Sequence, residues 1–109
     1  MKGKTIRIYK ENFIFDIYFD DALKNTHVHD HGVTDLQIYD FFSSGMYLER
    51  KRTDGSFVAV GYASESALKV IYRKVKITKA LKWYYIISAW NHVLTNDEMD
   101  ELIRSGEDL

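Results

Sequence analysis

Residues 20–42 read D-D-A-L-K-N-T-H-V-H-D-H-G-V-T-D-L-Q-I-Y-D-F-F, and the way this stretch folds decides the architecture. Asp20 is placed to cap a helix, because its carboxylate can accept from the free N–H groups of a first turn. Ala22–Asp30 holds no glycine or proline to stop that helix. Gly32 can take the left-handed conformation that ends one. Thr34 and Gln37 have the spacing of a capping box, so a second helix starts at once. Leu36, Tyr39 and Phe42 then recur three apart on one face. The stretch predicts two helices joined at a glycine corner.

Upstream, residues 5–19 (T-I-R-I-Y-K-E-N-F-I-F-D-I-Y-F) are β-branched and aromatic with period-two alternation, and Glu11–Asn12 splits them as a turn or bulge. Downstream, Ser43–Gly45 reads as a loop and Met46–Arg52 as a strand. Thr53–Asp54–Gly55–Ser56 is a hairpin signal, since Asp-Gly tolerates the positive φ of a tight turn. Phe57–Ala63 is the return strand, Ser64–Ser66 a second turn, and Ala67–Lys76 a third strand. Thr78–Lys82 is a basic connection. Trp83–Trp90 (W-Y-Y-I-I-S-A-W) is almost continuously apolar, as in a strand buried on both faces. Thr95 and Glu98 form another capping box, Met99, Leu102 and Ile103 make a narrow apolar stripe, and Gly106 can stop that helix. Asp97, Glu98, Asp100 and Glu101 put negative charge where the dipole favours it. The expected fold is α+β in a single domain over residues 1–109. Two N-terminal helices and a C-terminal helix pack on a mainly antiparallel four- to five-strand sheet, with one face open.

Composition narrows the classes. The chain has 109 residues, 46% hydrophobic and 15% aromatic, enough for one core. No apolar run approaches the roughly 18–20 residues of a membrane span. The opening M-K-G-K-T-I-R-I-Y-K is charged and lacks an apolar signal core. There is no cysteine, which removes disulfides and thiolate metal sites and fits the cytoplasm. Net charge is −1, yet Glu49–Lys82 holds nine basic and three acidic residues, so a basic middle sits in an acidic frame. No glycine-rich phosphate loop, G-x-S-x-G or dinucleotide fingerprint occurs, so no cofactor is expected.

Phe19–Asp20, then His31–Gly32–Val33–Thr34, then Phe41–Phe42, and later Ile86–Ile87–Ser88–Ala89 follow in an order that resembles the BrnT-type toxins of the RelE/ParE superfamily. Those proteins open with an aromatic–Asp pair and a short helix, continue with H-G-V-S and an amphipathic helix, and end their sheet with a strand resembling I-I-S-A-R. Val70–Ile71–Tyr72 is similar to the preceding family strand. The similarity spans about residues 13–103. This chain departs from the pattern in its longer lead-in and in Trp90, which stands where the family has an arginine.

The resemblance implies an mRNA endoribonuclease of a type II toxin–antitoxin pair, with an antitoxin and RNA as partners. Such cleavage sends the ribose 2′-hydroxyl onto the adjacent phosphate and needs a base, an acid and positive charge for the phosphorane. The basic candidates are Arg50 and Arg52, two apart on one strand face, and Arg73, whose guanidinium can hold two phosphate oxygens. His92 is the candidate acid or base, because imidazole titrates near neutrality. Lys74 and Trp90 are candidates for substrate binding, Trp90 by stacking on a base. Tyr72 shares the Leu68/Val70 side and belongs to the core.

Asp20, His31 and Gly32 are structural candidates, with His31 fixing the corner through a hydrogen bond. His27 and His31 have the i, i+4 spacing of some zinc pairs, but no third ligand is evident and no metal site is expected. A reading from a different class stands beside the nuclease. In it the chain is a non-catalytic module for protein or nucleic acid, with an exposed edge strand that pairs with a partner or a second copy.

Overall fold

The computed structural model describes residues 4–107, so the first three residues of the charged opening and the last two residues of the chain lie outside it. The chain enters as a β-hairpin, β1 (Lys4–Lys10) and β2 (Phe13–Asp20), turned at Glu11 with φ +54°. After the two-residue β3 (Asn25–Thr26) come α1 (His27–Asp30) and α2 (Asp35–Ser44). Four strands follow: β4 (Tyr47–Lys51), β5 (Phe57–Ala63), β6 (Ser66–Ile77) and β7 (Lys82–Asn91). α3 (Asn96–Glu107) closes the chain. The strand order is β1-β2-β7-β6-β5-β4, with β3 added beside β2.

This corrects the expected architecture of two N-terminal helices and a four- to five-strand sheet. The fold is α+β with seven strands, the N-terminal element is a hairpin, and the sheet is mixed because β2 and β7 run parallel. The first expected helix fails for a local reason. Asp20 Oδ1 accepts from the N–H of Ala22 (2.9 Å) and Leu23 (3.2 Å), and its carbonyl accepts from Lys24 (2.8 Å). That closes a turn rather than a helix, and Lys24 leaves it at φ +58°. Asn25–Thr26 then pairs back onto Phe19–Asp20. Thr26 takes over as N-cap, its Oγ1 accepting from the His29 N–H at 2.8 Å, and leaves a single helical turn.

Gly32 stands at φ +82° between the helices. The Thr34–Gln37 capping box opens α2: Gln37 N–H donates to Thr34 Oγ1 at 3.1 Å and Thr34 N–H to Gln37 Oε1 at 2.9 Å. The buried face of α2 is Ile38, Phe41 and Phe42, an i, i+3, i+4 set, whereas Leu36 is 59% exposed.

α1 and α2 cover one face of the sheet. Val28, Ile38, Phe41 and Phe42 meet Phe15, Ile17, Val70, Tyr72, Tyr84 and Ile86 there in one core. Phe42 stacks on Tyr84 at 4.2 Å and meets Tyr72 edge-on at 5.0 Å, contacts that add about 0.5–1.5 kcal/mol each beyond burial. The buried Tyr72 hydroxyl donates to Glu49, which also receives Lys74 Nζ at 2.8 Å. α3 lies on the opposite face, against β4, and buries only Leu102 of its apolar stripe. It runs through Gly106 to Glu107, so that glycine does not end it. Among the described residues no helix is long and apolar enough to cross a membrane.

Candidate nucleic-acid interface

The register of β6 against β7 opposes Lys69 to Trp90, Arg73 to Tyr85 and Lys76 to Trp83. All six lie on the face away from α1 and α2, because the alternate residues Leu68, Val70, Tyr72, Tyr84, Ile86 and Ala89 are buried in the core. Every aromatic side chain on this face of β7 thus has a cation across from it. Two register shifts produce the arrangement, one between Ile71 and Tyr72 and one between Lys74 and Lys76. The first leaves Ile87 unpaired. Trp90, an odd number of residues beyond Trp83, therefore lands on the same face.

The rings are held from neighbouring strands. Asp16 on β2 is 7% exposed and opposes both Arg7 and Tyr85. Its Oδ2 accepts from Trp83 Nε1–H at 2.8 Å, while Arg7 grips both carboxylate oxygens at 2.6 and 2.9 Å. The Arg7 hydrogen bonds hold the Asp16 carboxyl below the usual carboxylate range, against the effect of burial. The Arg7 guanidinium lies 5.0 Å over the Trp83 ring. At the other end Lys69 Nζ sits 5.9 Å over Trp90, and His31 meets that ring edge-on at 6.1 Å. Burial pushes the Tyr85 phenol up. From Ser66 to Asn96 the chain holds six basic residues and no acidic one.

The candidate catalytic side chains are distributed around this face. Arg52 and Arg73 meet at the β4–β5 turn. Arg73 Nη1 donates to the Asp54 carbonyl at 3.2 Å, its Nη2 lies 3.7 Å from Asp54 Oδ2, and Arg52 Nη1 donates to Ser56 Oγ at 3.3 Å. Hydrogen bonds from Ser56, then the charges of Arg52 and Arg73, hold the Asp54 carboxyl low. Arg50 stands apart on β4 and lines a cleft beneath α3. His92 Nε2 is 3.1 Å from Glu98 Oε1, at the start of α3. Lys74 points to the helix side, where it pairs with Glu49 and lies 4.3 Å over Phe57. Trp90 alone of the two expected substrate contacts is on the aromatic face.

The structural candidates sit at the corner. His31 Nδ1–H donates to the Ala89 carbonyl at 3.0 Å, tying the corner after α1 to β7, and Asp20 Oδ2 is 3.1 Å from His27 Nε2. Sequence reading missed Arg7, Lys69, Lys76, Trp83 and Tyr85. The acid-free run from Ser66 to Asn96 was the available signal for the last four, and Arg7 lies outside it. The bulge that aligns Trp90 with the other rings has none.

The fold and this face define a class: a mixed α+β sheet with one helix-covered side and one aromatic, cation-lined side. Comparison with protein-family models, with curated proteins and with solved structures finds no match to the chain.

Proposed function

We propose that this chain binds single-stranded RNA across the outer face of β6 and β7, as a binding module without nuclease chemistry. The observation that carries it is the cross-strand pairing of Lys69, Arg73 and Lys76 with Trp90, Tyr85 and Trp83. Unpaired bases stack on aromatic rings at about 1–3 kcal/mol per base, and cations alongside meet the phosphates. At ~3.3 Å per residue the row from Trp83 to Trp90 is on the order of 20 Å long, enough for a site of about four nucleotides. Splayed bases need an open platform, which a duplex does not exploit.

Cleavage is not part of this function, because its candidate groups do not converge. The candidate groups are held on separate partners: His92 by Glu98 at the start of α3, Arg52 by Ser56 at the β4–β5 turn, and Arg50 in the cleft under α3. Without cleavage to silence, this function calls for no antitoxin. A cytoplasmic setting goes with an RNA ligand and a chain free of cysteine.

Trp83 and Trp90 are the chain's two tryptophans, so their emission reports directly on this face. A short unstructured RNA is expected to quench it saturably at low salt, with a duplex of the same length much weaker. RNA binding that leaves the emission unchanged, or equal affinity for duplex, defeats the proposal. Release of cut fragments by the purified protein would restore the nuclease.

A further inference from the structure

We infer that the cleft between α3 and the outer face of β4–β6 is a site for a free amino acid with a branched aliphatic side chain. The cleft holds about 210 Å³, below the ~300–1,000 Å³ of sites for drug-sized ligands. Its floor is aliphatic: Leu48 opposes Val60 and Arg50 opposes Val58 across β4 and β5. Lys69 opposes Val60 from β6. α3 brings Glu98 and Glu101, three residues apart and hence on one side of the helix.

Glu49 also lines the cleft, but its carboxylate is taken by Tyr72 and Lys74, which leaves both signs of charge facing the space from Arg50, Lys69, Glu98 and Glu101. Among the described residues Arg50, Lys69 and Glu101 make no ion pair. Glu98 spends Oε1 on the Thr95 N–H and His92, which leaves Oε2 free. A simple anion would neutralise the cations and leave two glutamates facing it, and a simple cation would do the reverse. A zwitterion satisfies both signs. Its carboxylate takes the two-point geometry of the Arg50 guanidinium, its ammonium faces Glu101 and Glu98 Oε2, and its side chain lies on Leu48, Val58 and Val60. Lys69 is common to this cleft and to the RNA face, where it lies over Trp90, whereas Arg50 and Glu101 belong to the cleft alone.

The test is an amide-resolved NMR titration with L-leucine. Saturable shifts are expected at Arg50, Val58, Val60 and Glu101, with a Kd of about 1 mM or tighter. L-leucinamide and 4-methylpentanoate each lack one charge and are expected to bind at least about tenfold more weakly, a loss of ~1.4 kcal/mol. Arg50→Gln and Glu101→Gln, both at exposed positions outside the core, are each expected to show the same loss with an unchanged fingerprint elsewhere. The inference is overturned by the absence of saturable shifts up to roughly ten times that Kd, by equal binding of the two analogues, or by undiminished leucine binding in both variants.

Discussion

Asp16 is the one acidic side chain buried among the described residues, and it orients half of the aromatic face. A carboxylate at that depth is tolerated because all its bonds are charge-assisted or come from an indole N–H. Asp16→Asn keeps the shape and removes the charge. It is expected to cost about 1–3 kcal/mol at neutral pH, read from urea denaturation, and to shift Trp83 emission. The pH dependence has a defined sign. Arg7 lowers the folded-state pKa of Asp16, so the stabilisation is complete above the unfolded value of about 3.9 and fades as pH falls through the lowered folded value. The stability gap between wild type and Asp16→Asn should therefore shrink in acid. A gap of constant size from neutral pH down to about pH 2 would mean that the carboxylate charge contributes nothing.

At the scale of elements, β5 passes close against the start of β4 at Gly61. A Cβ at Gly61 would stand 2.6 Å from the Tyr47 Cα and closer still to the Met46 carbonyl oxygen. Because those are backbone atoms, Gly61→Ala must push β4 away, and with it the Tyr47 ring that stacks on Phe41 at 4.8 Å. A loss of about 1–3 kcal/mol is expected, measured by thermal unfolding. Thr34→Ala, which removes the α2 cap, should cost about 1 kcal/mol. Thr34 is legible from sequence because a capping box is written in adjacent residues. So are Asp54–Gly55 and the alternation of β5 and β6. The turn at Asp20 is not, because Ala22–Lys24 carries no stop signal and the β3 pairing that overrides the helix is a tertiary contact. The parallel contact of β2 with β7 joins residues 69 apart, as Asp16 and Tyr85 are, and no local pattern announces it. The face of Trp90 depends on the Ile87 bulge, which alternation alone assigns to the wrong side.

Over the whole molecule, a net charge of −1 conceals a separation. The acid-free run is folded into one long hairpin, while Asp97, Glu98, Asp100 and Glu101 gather on α3 beside β4. With screening over about 8 Å at physiological salt, the α3 acids repel a polyanion from the β4 side and leave the β6–β7–β2 side open to it. Binding there through Lys69, Arg73 and Lys76 should release counterions. For a single strand each phosphate contact adds about −0.7 to the slope of log affinity against log salt, so three contacts give roughly −2. Affinity should then fall about twentyfold between ~50 and ~200 mM salt. Replacing any one of the three cations by Gln should flatten the slope by about 0.7. Trp83→Leu should weaken binding at every salt concentration and leave the slope alone, because stacking releases no ions. That contrast separates the two halves of the interface. If the slope were unchanged in all three cation variants, the phosphates would be held somewhere other than β6, and the row of rings on β7 would be facing a different partner.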